Sequence, residues 1–131
     1  MKQEKGVEEK IVYKDLCYII NGLLFKTHNC LGRFCREKQY GDFLENLLKE
    51  EGLCYKRECP FKVEGINNPR TNIVDFEIEE KILLELKAKP IIKKEDYEQI
   101  KRYLKVGNYK LGLIVNFRNH YLKPVRVLNH S

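Results

Sequence analysis

The order of elements legible in the sequence predicts an α/β fold, a mixed sheet flanked by helices, and two observations carry it. Apolar residues recur at helical spacing in three segments, and short β-prone runs bounded by turn residues separate and follow the last of them. One of those runs, Ile82-Leu83-Leu84-Glu85-Leu86, is apolar on both faces, as expected of a strand covered by layers on both sides. The length of 131 residues suits one domain, 1–131, with a core of its own.

Residues 1–10 are charged and are expected to form a flexible lead. They lack the apolar stretch of a secretion signal, so the expected location is cytoplasmic. A first helix is predicted from about Ile11 to Leu31, with Val12, Leu16, Ile19, Ile20 and Leu23 in its stripe and Gly32 as its stop. A second follows from about Phe34 to Glu51, ended by Gly52. Its stripe is Tyr40, Phe43, Leu44, Leu47 and Leu48, with Glu37 one turn ahead and in line. A carboxylate there is either a rim residue or aimed into a site. Leu53 to Val63 reads as a strand, and Pro60 demands that it be an edge or carry a bulge. Glu64 to Pro69 is a turn. A third helix spans about Lys93 to Val106 and stops at Gly107. Gln99 and Tyr103 share one of its faces, beside a row of Ile100 and Leu104. Lys110 to Phe117 reads as a buried strand, and Tyr121 to Leu128 as a last one.

Between the first predicted strand and the third helix lies the stretch on which function turns, Asn72 to Ala88. It reads as two strands joined by Glu79-Glu80-Lys81. A two-residue turn would set Asp75 against Leu84, on the wrong face from Glu85. A three-residue connection, or one bulge, sets Asp75 against Glu85, with Lys87 on the same face. The second register is expected, because it gathers the three charges of an apolar hairpin into one cluster. Such a cluster suits a hard divalent cation, whereas an ionised carboxylate without compensation is expensive there. A partly solvated Glu85–Lys87 ion pair explains the same pattern without any site.

The net charge of +6 favours an anionic partner, though lysine-rich surfaces are common. Lys56, Arg57, Arg70, Lys89, Lys93, Lys94, Lys101 and Arg102 are candidate phosphate contacts. No apolar run approaches the ~20 residues of a membrane span. Cys17, Cys30, Cys35, Cys54 and Cys59 contain no C-x-x-C pair, which leaves a zinc ribbon unsupported and free thiols expected. An iron–sulfur cluster would call for tighter spacing.

Several of these stretches together resemble the GxxExxY proteins, a branch of the PD-(D/E)XK nuclease-like superfamily, over roughly Leu16 to Val127. His28-Asn-Cys-Leu31-Gly32 followed by Glu37-Lys-Gln-Tyr40 is similar to the naming motif. Asp75 with Glu85-Leu-Lys87 is similar to the superfamily's metal-binding core. Gln99-Ile-Lys-Arg-Tyr103 resembles the Gln-x-x-x-Tyr element of phage-exonuclease-like members, and Leu111 to Phe117 the strand after it. One departure is Phe34, where the family has its signature glycine. The resemblance therefore leaves the first interhelical turn, and the presentation of Glu37, unassigned.

The resemblance implies a restriction-endonuclease-like α/β/α sandwich with a mixed central sheet, core αβββαβ, preceded by an extra N-terminal helix. It implies a metal-dependent phosphodiesterase in which Asp75, Glu85 and the Leu86 carbonyl bind Mg²⁺ or Mn²⁺. Lys87 would orient or deprotonate the attacking water, and Glu37 would hold a second ion or a metal-bound water. Gln99 and Tyr103 would steady Lys87 or the substrate phosphate. His28 matches a family position without an assigned role. The expected partner is nucleic acid, foremost DNA, and the small size suggests a homodimer embracing it. The alternative is a catalytically silent nucleic-acid-binding or assembly module that keeps the fold.

Overall fold

The computed structural model describes residues 12–61 and 72–130. Its elements run α1 (Lys14–Leu31), α2 (Glu37–Glu51), β1 (Tyr55–Pro60), β2 (Ile73–Ile78), β3 (Ile82–Lys87), α3 (Lys94–Gly107), β4 (Leu111–Asn116) and β5 (Val125–Leu128). The charged lead, the Glu64–Pro69 turn and Arg70 lie outside the described residues.

The five strands form one sheet in the order β1-β2-β3-β4-β5. All neighbours are antiparallel except β3 and β4, which are parallel and joined by α3. Helices α1 and α2 cover one face with a core that includes Ile20, Leu24, Tyr40, Leu44, Phe76, Leu84 and Phe117. Helix α3 covers the other face through Ile100, Tyr103 and Leu104 against Val74, Leu83 and Ile114. This is the α/β/α sandwich with a mixed sheet, an α1 ahead of the core and a fifth strand after it. The close approach of α3 depends on Gly112, where an added Cβ would lie 2.7 Å from Ile100 Cδ1.

Pro60 ends β1, one of the sheet's two edge strands, where its missing N–H leaves no ladder bond unmade. Two boundaries and one helix stripe differ from expectation. Helix α2 begins at Glu37 rather than near Phe34, because Arg36 is extended and its N–H is capped by Gln39 Oε1 at 2.8 Å. Helix α3 runs one residue further, with Asn108 rather than Gly107 taking the left-handed cap. The inward stripe of α1 is Cys17, Ile20, Leu24 and Thr27, leaving Leu16 and Leu23 half-buried. Thr27 can be inside because its hydroxyl donates to the Leu23 carbonyl at 2.8 Å. All five cysteines are unbridged. No helix among the described residues is long and apolar enough to cross a membrane.

Candidate active site

The β2–β3 connection decides where the charged side chains meet. Glu79 and Glu80 both have left-handed backbones (φ 55° and 54°), and Lys81 N–H donates to the Ile78 carbonyl at 3.0 Å. Glutamate is an unusual choice for such φ values. Glu79 is held there by Cys54, whose N–H donates to Glu79 Oε2 at 2.6 Å and whose carbonyl accepts the Glu79 N–H at 2.8 Å. The ladder then takes up at Ile78↔Ile82 and runs through Glu77↔Leu83 to Phe76↔Leu84. This is the three-residue register, and one more step would set Asp75 against Glu85.

That step is not taken as a ladder pair. On its other side, β1 pairs Arg57↔Phe76 and Cys59↔Val74 but skips Glu58, whose φ is 56°. Asp75 therefore leaves both ladders, and the alternation of faces slips across it. Phe76 packs under α1 and α2, while Val74, two residues away, packs under α3. In the gap the carboxylates replace the missing strand bonds. Glu85 Oε1 accepts the Asp75 N–H at 2.9 Å, and Asp75 Oδ2 accepts the Leu86 N–H at 2.7 Å. A strand residue directs its N–H and C=O to the same side, so the Leu86 carbonyl faces this gap as well.

Two acids in a closed gap resist ionising together. Burial, then the neighbouring Asp75 charge, pushes Glu85 up to about 8. Burial pushes Asp75 up to about 6, against the Leu86 N–H bond that favours its charged form, with the Glu37 charge raising it further. Lys87 Nζ lies 3.6 Å from Glu85 Oε2 and 3.8 Å from Asp96 Oδ1.

Asp96 was not singled out by sequence reasoning. It opens α3, accepts the Lys93 N–H at 2.7 Å and meets Lys89 Nζ at 2.5 Å. Burial alone would raise its pKa, but Lys89 and the Lys93 N–H outweigh burial and hold it low. The available signal was an acid three residues into a helix start, with one lysine upstream at a strand end and another two residues past it. Asn116, at the end of β4, fixes the chain just beyond Lys87. Its Nδ2 donates to the Lys89 carbonyl at 2.7 Å and its Oδ1 accepts the Lys89 N–H at 3.2 Å.

Beside Asp75 opens a cavity of about 210 Å³, lined among others by Glu37, Arg57, Glu58, Asp75, Phe76 and Leu86. Glu37, the first residue of α2, is exposed at its rim. Glu58, on the skipped rung opposite Asp75, adds a carboxylate that the sequence did not reveal. Arg57, a candidate phosphate contact, is instead tied to Asp42 at 2.6 Å and Glu45 at 3.1 Å. Lys56, Lys89 and Lys94 are likewise paired with acids, while Lys93, Lys101 and Arg102 make no ion pair among the described residues. Gln99 is half-buried on α3 and bonds the Tyr103 hydroxyl, which senses the charge of Glu85. Tyr103 is fully buried. His28 Nε2 lies 3.0 Å from the Asn119 carbonyl, a packing role.

Among the described residues no three acidic, histidine or cysteine side chains gather into a ready-made metal cage. The expected set of Asp75, Glu85 and Glu37 is thus assembled only in part. The first two share the gap, while Glu37 lies across the cavity rim, where mutual repulsion favours separation. The donors that do converge still fit a hard divalent ion. They are two carboxylates and a backbone carbonyl, and Asp75 Oδ1 has no hydrogen-bond or ion-pair partner among the described residues.

The chain matches the family model described as the PD-(D/E)XK nuclease superfamily over residues 14–127. Neither a curated protein nor a solved structure matches it.

Proposed function

The chain belongs to the PD-(D/E)XK nuclease superfamily, and from that premise we propose that it is a metal-dependent nuclease hydrolysing phosphodiester bonds of DNA. The observation that carries this reading is the exchange between Asp75 and Glu85. Two carboxylates, Glu85 buried and Asp75 half-buried, interrupt a sheet; burial raises the pKa of both, the Asp75 charge raises that of Glu85 further, and Asp75 Oδ1, beside a cavity, has no partner among the described residues. A purely structural ion pair would place one lysine against one acid; here a second acid adds repulsion that a divalent cation would relieve.

Asp75, Glu85 and the Leu86 carbonyl would hold Mg²⁺ or Mn²⁺, with Glu37 positioned to hold a second ion or an ordered water. The ion supplies Lewis-acid polarisation and a nucleophile at neutral pH. Lys87 contributes a fixed positive charge beside the reacting phosphate and orients the attacking water. It is steadied by Glu85 on one side and Asp96 on the other. Gln99 and Tyr103 act through these side chains. Tyr103 is fully buried and has no surface to offer a phosphate, so of the two roles open to it, the supporting one stands.

Purified protein incubated with Mg²⁺ or Mn²⁺ and linear, nicked or branched DNA tests the reading. Cleavage should be abolished by EDTA and by Asp75→Ala or Glu85→Ala. Cutting that survives both substitutions sinks it. DNA binding without measurable divalent-ion binding by calorimetry would establish the silent binding module instead.

A further inference from the structure

The turn between α1 and α2, three residues before Glu37, presents an aromatic ring with two guanidinium groups close to it. Arg33 Cζ lies 4.9 Å from the centroid of the Phe34 ring and Arg118 Cζ 5.5 Å, yet the residue remains 73% exposed. The two arginines lock each other through the main chain. Arg33 Nε donates to the Arg118 carbonyl at 2.8 Å, and Arg118 Nε donates to the Arg33 carbonyl at 3.1 Å. Arg118 Nη2 also reaches the carbonyl of Ala88 at 3.3 Å, the residue after Lys87. Neither guanidinium makes an ion pair with a carboxylate among the described residues.

A single exposed phenylalanine needs no special cause. This one is different because two cations are held against it and no carboxylate among the described residues pairs with them. Like charges fixed close together are unfavourable until an anion arrives. A largely exposed aromatic ring beside positioned guanidinium groups matches one ligand chemistry well: a base that stacks on the ring, with phosphates that meet the arginines. An apolar peptide or an acyl chain would gain little from a ring rimmed by charge. Within a duplex, base faces are already stacked on their neighbours, so the base must be unpaired. The position also fits. Three residues span at most about 11 Å from Phe34 to Glu37 at the cavity rim, a few nucleotides at about 3.4 Å per base.

We propose that Phe34, with Arg33 and Arg118, is a stacking platform for an unpaired base of the strand that enters the cavity, making the substrate class nucleic acid with a single-stranded segment. The path into the cavity rests on the nuclease reading above; the platform itself does not.

The chain has no tryptophan, so Phe34→Trp supplies a sole indole at the platform, excited selectively at wavelengths where the tyrosines do not absorb. The EDTA-treated full chain carrying it would be titrated with an oligothymidylate and with a blunt duplex of the same length. Saturable quenching by the single strand, much weaker with the duplex, is expected. In otherwise unchanged protein, Phe34→Ala should weaken single-strand affinity by roughly 5- to 100-fold. Circular dichroism would establish that the variants are folded. Binding that persists with no quenching and no loss in Phe34→Ala overturns the proposal, as does equal quenching by the duplex. Emission that follows protein concentration rather than DNA would identify a self-association surface and overturn it too. No step requires cleavage, so quenching retained in a protein that cuts nothing with Mn²⁺ would uphold the platform and refute only the nuclease reading.

Discussion

Replacing Glu85 by glutamine should stabilise the metal-free protein above neutral pH, at the same residue whose loss should end activity. The sign follows from linkage. Glu85 rises from an ordinary 4.5 to about 8 on folding, so between those values the folded state holds a proton that the unfolded chain has released. Relative to alkaline solution, stability is fully present below about pH 4.5 and is lost as pH climbs toward 8. At pH 7 that is roughly 2.5 units at about 1.4 kcal/mol each, or about 3 kcal/mol. A domain of this kind has only about 5–15 kcal/mol in all. Glutamine keeps the oxygen that accepts the Asp75 N–H but has no charge to bury. Urea unfolding in EDTA from pH 4.5 to 8.5 should show stability falling with pH in the unsubstituted protein and a flatter profile in Glu85→Gln. The two should diverge most near pH 8, and Mn²⁺ should restore the unsubstituted protein far more than the variant. A flat profile in the unsubstituted protein, or a variant less stable at every pH, would refute the account of the gap.

Other consequences are accessible to simpler measurements. Asp96→Asn should leave the fold intact but loosen Lys87, lowering kcat by about 10- to 100-fold, as seen for outer partners of catalytic groups; steady-state kinetics would check it. Gly41→Ala places a Cβ 2.5 Å from Arg57 Nη2, on a guanidinium tethered by Asp42 and Glu45. It should cost about 1–3 kcal/mol in thermal unfolding, and much of that should vanish when Arg57 is also alanine. Tyr40→Phe removes the hydroxyl that donates to the Gly32 carbonyl at 2.5 Å and accepts the Cys35 N–H at 3.2 Å. A loss of about 1 kcal/mol is expected, because a part-buried acceptor and donor in the α1–α2 turn lose this partner. DNA affinity should fall steeply with salt, and Arg118→Ala should make that slope shallower by roughly one counterion.

The sheet layers and the hairpin register were legible in the sequence because they rest on local rules. A both-faces-apolar run must be covered, and the charges at 75, 85 and 87 make sense in only one pairing. What escaped was set by distant partners or by backbone choices without a residue signature. Asp96 looks like any acid at a helix start until Lys87, at the end of β3, and Lys89, just beyond it, are seen folding onto it. Glu58 takes a left-handed backbone normally signalled by glycine or asparagine, so beyond the edge or bulge that Pro60 called for, no residue marked where the rung beside Asp75 is skipped. Arg57 read as a surface cation because its partners, Asp42 and Glu45, come from a helix preceding it. Tyr103 was correctly placed on a face with Gln99, but the spacing could not tell that the face is buried against the sheet rather than open to a substrate.

A crystal soaked in Mn²⁺ tests the central claim most directly. The account predicts an anomalous peak in the gap where β2 and β3 part, coordinated by Asp75 and Glu85 at about 2.0–2.3 Å. A saturating soak that leaves this gap without a peak, or that puts the ion elsewhere, would contradict it.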